Sequence, residues 1–224
     1  MNKVKVLCLG VVEYQKALQL QNQIFSELYN SIDPVLLLLQ HPPIFTSGKR
    51  HNPTEIEVNV LKSTGADFLK TERGGQLTFH GPGQLVAYPI MDIRSVNTTC
   101  SPSIRHFVCN LENTIQLFLS RYNIPTTTRC EYPGVWIEGQ NRKIASVGIH
   151  VRRWLTCHGV SINITNEPLK YFNQTTICGF PGNIFTSIQA ETNRYVRIDD
   201  ELLHTFAESF SKTFKMEYEI KYEM

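Results

Sequence analysis

"RGGQLTFHGPGQLVAYP", residues 73–89, gathers four glycines and two prolines around His80 and then runs into the apolar Leu85-Val86-Ala87-Tyr88. That run reads as a strand, so the glycines belong to turns beside strands and not to a flexible linker. Glycine either supplies a positive φ or lets a backbone come close to another group. No Gly-Lys-Ser/Thr follows, which excludes a P-loop. Neither a G-x-G-x-x-G spacing nor an opening helix is present, which excludes the dinucleotide fingerprint. What remains is a turn pair carrying a cation, an amide and an imidazole (Arg73, Gln76 and His80) on backbone able to lie flush against a ligand.

Outward from this segment the chain alternates strands and helices. Val4 to Leu9 reads as a first strand, and Tyr14, Ala17, Leu18, Ile24, Phe25 and Leu28 then recur at helical spacing. "PVLLLLQHPP" is a buried strand ended by Pro42-Pro43. "FTSGKR" reads as a turn or loop, and a short helix around Glu57 to Lys62 leads to a strand from Asp67 to Lys70. Downstream, Ser101 or Ser103 caps a long helix whose apolar positions run from Ile104 to Phe118, closed by Pro125. "GVWIEGQNRKIASVGIHV" is a hairpin and "HGVSINI" a further strand starting near His158. A last helix from Asp199 to Phe214 and a strand from Met216 to Ile220 end the chain. The expectation is one domain over residues 1–224, of the α/β (α+β) class, with a mixed or mostly antiparallel sheet and helices packed against it.

Composition narrows the function. A 42% hydrophobic and 19% charged composition suits a chain that buries a core. A net charge of +2 does not argue for nucleic acid. The densest basic clusters, Lys49-Arg50 and Arg152-Arg153, read either as solvated edges or as a docking site for an acidic protein. The six cysteines form no C-x-x-C pair and have no histidine at zinc-ligand spacing, so no metal is expected and the thiols are read as free in a reducing compartment. Cys8 and Cys109 read as small apolar fillers. With no apolar run long enough to span a bilayer, no membrane segment is expected.

Three other stretches carry candidate chemistry. In "RKIASVGIHV", Lys143 opens an otherwise small and apolar strand. Alone it reads as a hairpin-end lysine with its amine in water, although Ser146 and Gly148 would leave room for a substrate across the strand. In "CHGVSIN", His158 alone reads as a structural histidine. In "TTICGFPG", Cys178 sits on a loop beside Gly179, where a thiol is placed for reactivity.

Taken together and in this order, these stretches resemble the octanoyltransferase family of lipoate biosynthesis, over most of the chain. The likeness runs from "LLLLQHPPIFTSGKR" through Arg-Gly-Gly-x-x-x-Phe-His-Gly-Pro-Gly-Gln and "RKIASVGIHVRRWLTCHGVSINI" to "TTICGFPG". The resemblance implies the fold of biotin and lipoate protein ligase catalytic domains. It also implies a cysteine that becomes an acyl thioester, matching Cys178, with a lysine beside it, matching Lys143. An acyl pocket is implied along Arg73, Gly74, Gly75 and Gln76 and their neighbours Leu77, Thr78, Phe79 and His80. Ser146, Val147 and Gly148, with His158, Gly159 and Val160, complete it. The donor would be octanoyl-acyl carrier protein. The acceptors would be lipoyl domains of 2-oxoacid dehydrogenase complexes and the glycine cleavage H protein, in the mitochondrial matrix or, in a bacterium, the cytoplasm. One departure is visible: the family commonly has proline before the cysteine, where this chain has Ile177.

That chemistry explains the glycines as an expectation. Backbone at Gly74, Gly75, Gly81 and Gly83 could approach an eight-carbon chain, and Phe79 could wall it. At roughly 0.8 kcal/mol per buried methylene, such a tail supplies on the order of 5 kcal/mol of recognition. A thioester donor needs no ATP and no cofactor. A free thiol is only a few per cent thiolate near neutrality, and an acceptor lysine, pKa about 10.4, must lose a proton. One lysine can serve both needs, and His80 or His158 could serve the second. The alternatives within the fold are an ATP-dependent lipoate or biotin ligase and a lipoyl-domain amidotransferase. A third, from another functional class, is a non-catalytic acyl-carrier or lipoyl-domain binding module that has kept the pocket.

Overall fold

Four leucines in a row are stable in a strand covered on both faces. In the strand Val35–Gln40, Leu36 and Leu38 join one apolar cluster and Leu37 and Leu39 another, each 2% exposed or less. The computed structural model describes residues 3–28, 33–96, 102–174, 176–177 and 180–222. In chain order the elements are β1 (Lys3–Val11), α1 (Tyr14–Leu28), β2 (Val35–Gln40), β3 (Ile44–Ser47), α2 (Glu55–Ser63), β4 (Asp67–Lys70) and β5 (Leu77–His80). There follow β6 (Gln84–Ile90), α3 (Ile104–Ser120), β7 (Thr126–Thr128), β8 (Gly134–Ile137), β9 (Lys143–Arg152), β10 (Leu155–Asn163) and α4 (Glu167–Phe172). The chain closes with β11 (Thr176–Ile177), β12 (Phe180–Pro181), α5 (Ile188–Thr192), α6 (Asp200–Phe214) and β13 (Glu217–Tyr222).

The main sheet is eight-stranded, in the order β13-β1-β2-β6-β10-β9-β8-β7. β1 pairs in parallel with β13 and β2, and the remaining neighbours are antiparallel, so the sheet is mixed. One face packs against α3 and α6 through Phe107, Phe118, Phe206 and Phe210, and the other against α1 through Ala17, Ile24 and Phe25. A three-stranded sheet, β4-β3-β5, stands beside it over a third cluster built on Phe45, Phe79, Trp136 and Phe172. Local signals fix the helix starts. Thr54 and Glu57 form a reciprocal capping box on α2, Ser103 caps α3, and Asp199 caps α6. Ser101, the other candidate cap, lies outside the described residues. Among the described residues no helix is long and apolar enough to cross a membrane.

Several local readings change. Phe45-Thr46-Ser47, expected in a loop, forms β3, because Phe45 pairs with Phe79 across to β5 in a sheet with its own core. The same pairing makes Leu77–His80 a strand, where the glycines on either side suggested only turns. The short β7, α4 and α5 carry too few residues for a periodic signal. Cys109 is exposed and not a filler, since it stands two residues from Phe107, on the far side of α3. Cys8 is buried as expected, and burial pushes its thiol up to about 11.

Candidate active site

The glycine-rich loop is tied to its surroundings mainly by backbone. Gly74 N–H donates to Ile149 O on β9 at 2.9 Å, and Arg73 O and Gly75 O accept from Lys49 and Arg50 at 3.0 and 3.1 Å. Arg73, 6% exposed, turns inward. Its Nη2 donates to Thr46 O at 2.5 Å and to Gln76 O at 2.7 Å, and its Nε to Thr46 Oγ1 at 3.1 Å. The guanidinium therefore braces its own loop against β3 and brings a buried positive charge to the site.

β6 continues through Pro89 to Ile90, although proline is rare in a central strand because it cannot donate to the ladder. The pairing of Val160 with Ala87 and of Leu155 with Asp92 sets His158 opposite Pro89. His158 answers with φ +57, a left-handed conformation costing of order 1–3 kcal/mol in a non-glycine residue. Its N–H turns out of the ladder to Gln21 Oε1 on α1, at 2.7 Å. Gly159 follows because a side chain there would meet Ala87 O at 2.1 Å. The histidine thus lies within β10, and the Pro89 opposite it, with Gln21, sets its aim.

Three imidazoles and two phenols share the buried end of the site. His41 donates from Nδ1 to Val12 O at 2.6 Å and accepts at Nε2 from the Tyr88 hydroxyl at 2.9 Å. Gln84 donates its amide to Asn163 Oδ1 at 2.9 Å, so its Oε1 accepts from His80 Nδ1 at 2.8 Å, which fixes the His80 proton on Nδ1. The Tyr14 hydroxyl lies 3.4 Å from His158 Nδ1. Burial, then His41 and Arg73, holds His80 well below the usual imidazole range. Burial, then Arg73, lowers His158 to about 3, and burial lowers His41 to about 4. All three are neutral near pH 7.

Lys143 opens β9 but does not sit in water. It is 6% exposed, and its Nζ donates to Pro133 O at 2.9 Å and faces the Trp136 ring at 5.2 Å. Gly134 makes this approach possible: at φ +128, a Cβ would stand 2.7 Å from Lys143 Cε. Lys143 O accepts from Thr186 N–H at 2.9 Å, which ties its backbone to the chain emerging from the β11–β12 hairpin.

A cavity of about 380 Å³ brings these groups together. Arg73, Gly74, Gly75, Gln76, Thr78 and His80 line it from the glycine-rich side, and Lys143, Ser146, Val147, Gly148, His158, Gly159 and Val160 from β9 and β10. Leu77 and Phe79 are not among its lining residues. Strand alternation sends them to the opposite face of β5, where the Phe79 ring stacks on Tyr171 at 4.3 Å. Gly81 and Gly83 do not line it either. A Cβ on Gly81 would strike the Phe79 ring and one on Gly83 would strike Thr165 Oγ1, so they serve the turn between β5 and β6. Cys178 and Gly179 lie outside the described residues. Tyr14, Tyr88 and Ser161 also line the cavity without having been expected there, and Arg50, expected only as a docking cation, joins them. A tyrosine at an inward helix or strand position was the available signal, since a buried phenol seeks a polar partner.

Residues 13–211 match the family described as Lipoyl protein ligase A/B catalytic domain. The chain is 39% identical over 217 residues to the mitochondrial octanoyl-[acyl-carrier-protein]:protein N-octanoyltransferase of Danio rerio, covering 94% of this chain and 93% of that protein. It is 39% identical over 191 residues to an octanoyltransferase of Desulforamulus reducens, covering 84% and 81%. Among solved structures, a bi-partite lipoate protein ligase from Thermoplasma acidophilum superposes with a TM-score of 0.73 at 12% identity, over 100% of this chain and 88% of that one. A biotin protein ligase from Aquifex aeolicus, in complex with biotin and ATP, gives 0.54 at 14% identity, over 96% and 70%. At such identities the likeness is one of fold, and it bears out the expected ligase-like architecture.

Proposed function

The chain belongs to the lipoyl protein ligase A/B catalytic-domain family, and from that premise we propose that it transfers an octanoyl group from octanoyl-acyl carrier protein to a lysine of a lipoyl domain. The relatives named for this activity are matched over most of their length. The observation that carries the reading is the buried Lys143 opening into the same cavity as the glycine-rich loop.

The proposed reaction has two steps. The Cys178 thiolate attacks the donor thioester carbonyl; a C–S bond to Cys178 forms, the donor C–S bond breaks, and the carrier thiolate leaves with a proton from the Lys143 ammonium, which becomes an amine. The acceptor amine then attacks the acyl-enzyme; a C–N bond forms, the Cys178 C–S bond breaks, and the surplus proton of the amine passes to Lys143. As an ammonium, Lys143 favours the thiolate, and as an amine it accepts this proton. Two observations support it over the histidines. His80 and His158 lie below the range in which an imidazole accepts a proton near neutrality, for want of solvent and because of Arg73. Lys143 is also held, through Thr186, against the chain that follows Cys178.

Lys143→Arg tests the role. Guanidinium keeps the charge but cannot present a neutral nitrogen near pH 7. In single-turnover mass measurements, this variant is expected to load octanoate and stall as the acyl-enzyme, with ATP omitted throughout. Normal delivery by it would remove Lys143 as the proton acceptor.

Arg50 lines the cavity, and beside it burial, then Lys49 and Arg152, disfavours His150 protonation against the opposing pull of Glu72, which pairs with Lys49 at 3.0 Å. The β9–β10 turn adds Arg153 and Trp154, both at positive φ (51 and 70), with Trp154 43% exposed. This basic rim is the proposed docking surface for an acidic carrier protein. The proposed compartment is the mitochondrial matrix in a eukaryotic cell and the cytoplasm in a bacterial one, and subcellular fractionation that recovers the protein elsewhere would overturn it.

A further inference from the structure

Glu112 projects from α3, is 6% exposed, and accepts the Gly134 N–H on Oε1 at 2.7 Å. The carbonyl of that same peptide unit, Pro133 O, accepts from Lys143 Nζ at 2.9 Å. A single peptide therefore stands between a buried carboxyl and the lysine amine. A carboxylate bonded to the N–H end polarises the unit and makes its carbonyl a stronger acceptor for an ammonium. The contact is tight, because the unit lies directly on the lysine stem, where even a methyl on Gly134 has no room. Burial pushes the Glu112 carboxyl above its usual range, while the Gly134 bond and the Lys143 charge pull it back.

We propose that Glu112 is a positioning residue for the transfer: through the Pro133–Gly134 peptide it holds Lys143 at the cavity and sets how readily that lysine gives up its proton. The proposal rests on the reading of Lys143 as the proton acceptor. Other charged groups reach the lysine from neighbouring elements. Arg129 stacks on the Trp136 ring at 4.0 Å, on the same ring that Nζ faces. Glu131 and Tyr132 share the cavity, as do the neutral His80 and His158, and Arg142 is paired with Glu191 at 2.9 Å. Among the described residues, Glu112 is the buried acid bonded to the peptide that Lys143 grips.

Glu112→Gln removes the charge but keeps an oxygen for Gly134. Single-turnover loading and delivery would be timed against pH in the full chain, with octanoyl-acyl carrier protein as donor and a lipoyl domain as acceptor. Without the anion the Lys143 ammonium is less stable, so the rise of delivery with pH should move to lower pH by about one unit. Glu112→Asp, which keeps the charge, should hold the wild-type position even if its rate falls. Glu112→Met should show the same acid shift as Glu112→Gln and serves if the glutamine variant does not fold. Slowing at every pH with an unmoved limb would make Glu112 a simple brace and overturn the proposal. Lys143→Arg, run alongside, separates the two readings. If it stalls while the Glu112→Gln limb stays put, only the Glu112 proposal falls. If it delivers normally, the Lys143 reading itself has failed.

Discussion

Gly134→Ala tests how closely the lysine is gripped. The new Cβ would lie 2.3 Å from Ala145 O, 2.7 Å from Lys143 Cε and 3.2 Å from Nζ, at φ +128. Ala145 O belongs to β9, held between two paired strands, so relieving that contact strains the β8–β9 pairing, and the lysine stem must move as well. The conformation costs about 1–3 kcal/mol, and forcing a methyl into a filled site costs about another 1–3 kcal/mol. Gly139→Ala supplies the control in the same hairpin. It has φ +69 with nothing within 4 Å of its Cβ, so it carries the backbone cost alone. Urea unfolding of both variants, with delivery timed in single turnover, reads the two effects. Gly134→Ala should be the less stable by about 2 kcal/mol and should lose delivery at least tenfold, while Gly139→Ala delivers normally. Equal stabilities and intact delivery in both would refute the close approach.

Acid should weaken the fold through its buried imidazoles. His41 and His158, pushed to about 4 and about 3, stay neutral in the folded chain while their unfolded counterparts protonate. Depressed folded values mean that stability is present above the unfolded pKa of about 6.5 and is lost as pH falls towards the folded values. Between pH 7 and pH 5 the loss is about 2 kcal/mol per group. Urea midpoints that are flat or rise over that range would contradict it. Docking should depend on salt and charge: Arg152→Glu with Arg153→Glu should raise KM for octanoyl-acyl carrier protein several-fold and change it little for a small octanoyl thioester. Equal effects on both donors would assign these arginines to the fold or the pocket.

Periodicity exposed what local chemistry determines. The leucines of β2, the inward stripe of α1 and the caps of α3 and α6 could each be read without knowing any partner. What stayed hidden depends on residues far apart in the chain. Gln21 reads as a polar helix position, yet it is 1% exposed because His158 needs an acceptor, and His158 needs one because Pro89 stands opposite. β5 was masked by the glycines beside it, and so was the alternation that turns Phe79 away from the cavity while keeping Thr78 and His80 in it. Lys143 looked like a hairpin end in solvent because nothing near it in sequence announces Glu112 or the Pro133 carbonyl. The ordered set of motifs nonetheless brought most of the cavity's lining into view before any of these contacts.

An acyl-enzyme formed without nucleotide is central to the proposed transfer. Intact mass of the full chain after mixing with octanoyl-acyl carrier protein, with no ATP present, tests this directly in the wild type and in Cys178→Ala. The wild type should gain one octanoyl group, discharged by adding a lipoyl domain, and Cys178→Ala should gain none. Loading that persists in Cys178→Ala, or that requires ATP, would contradict the proposed transfer.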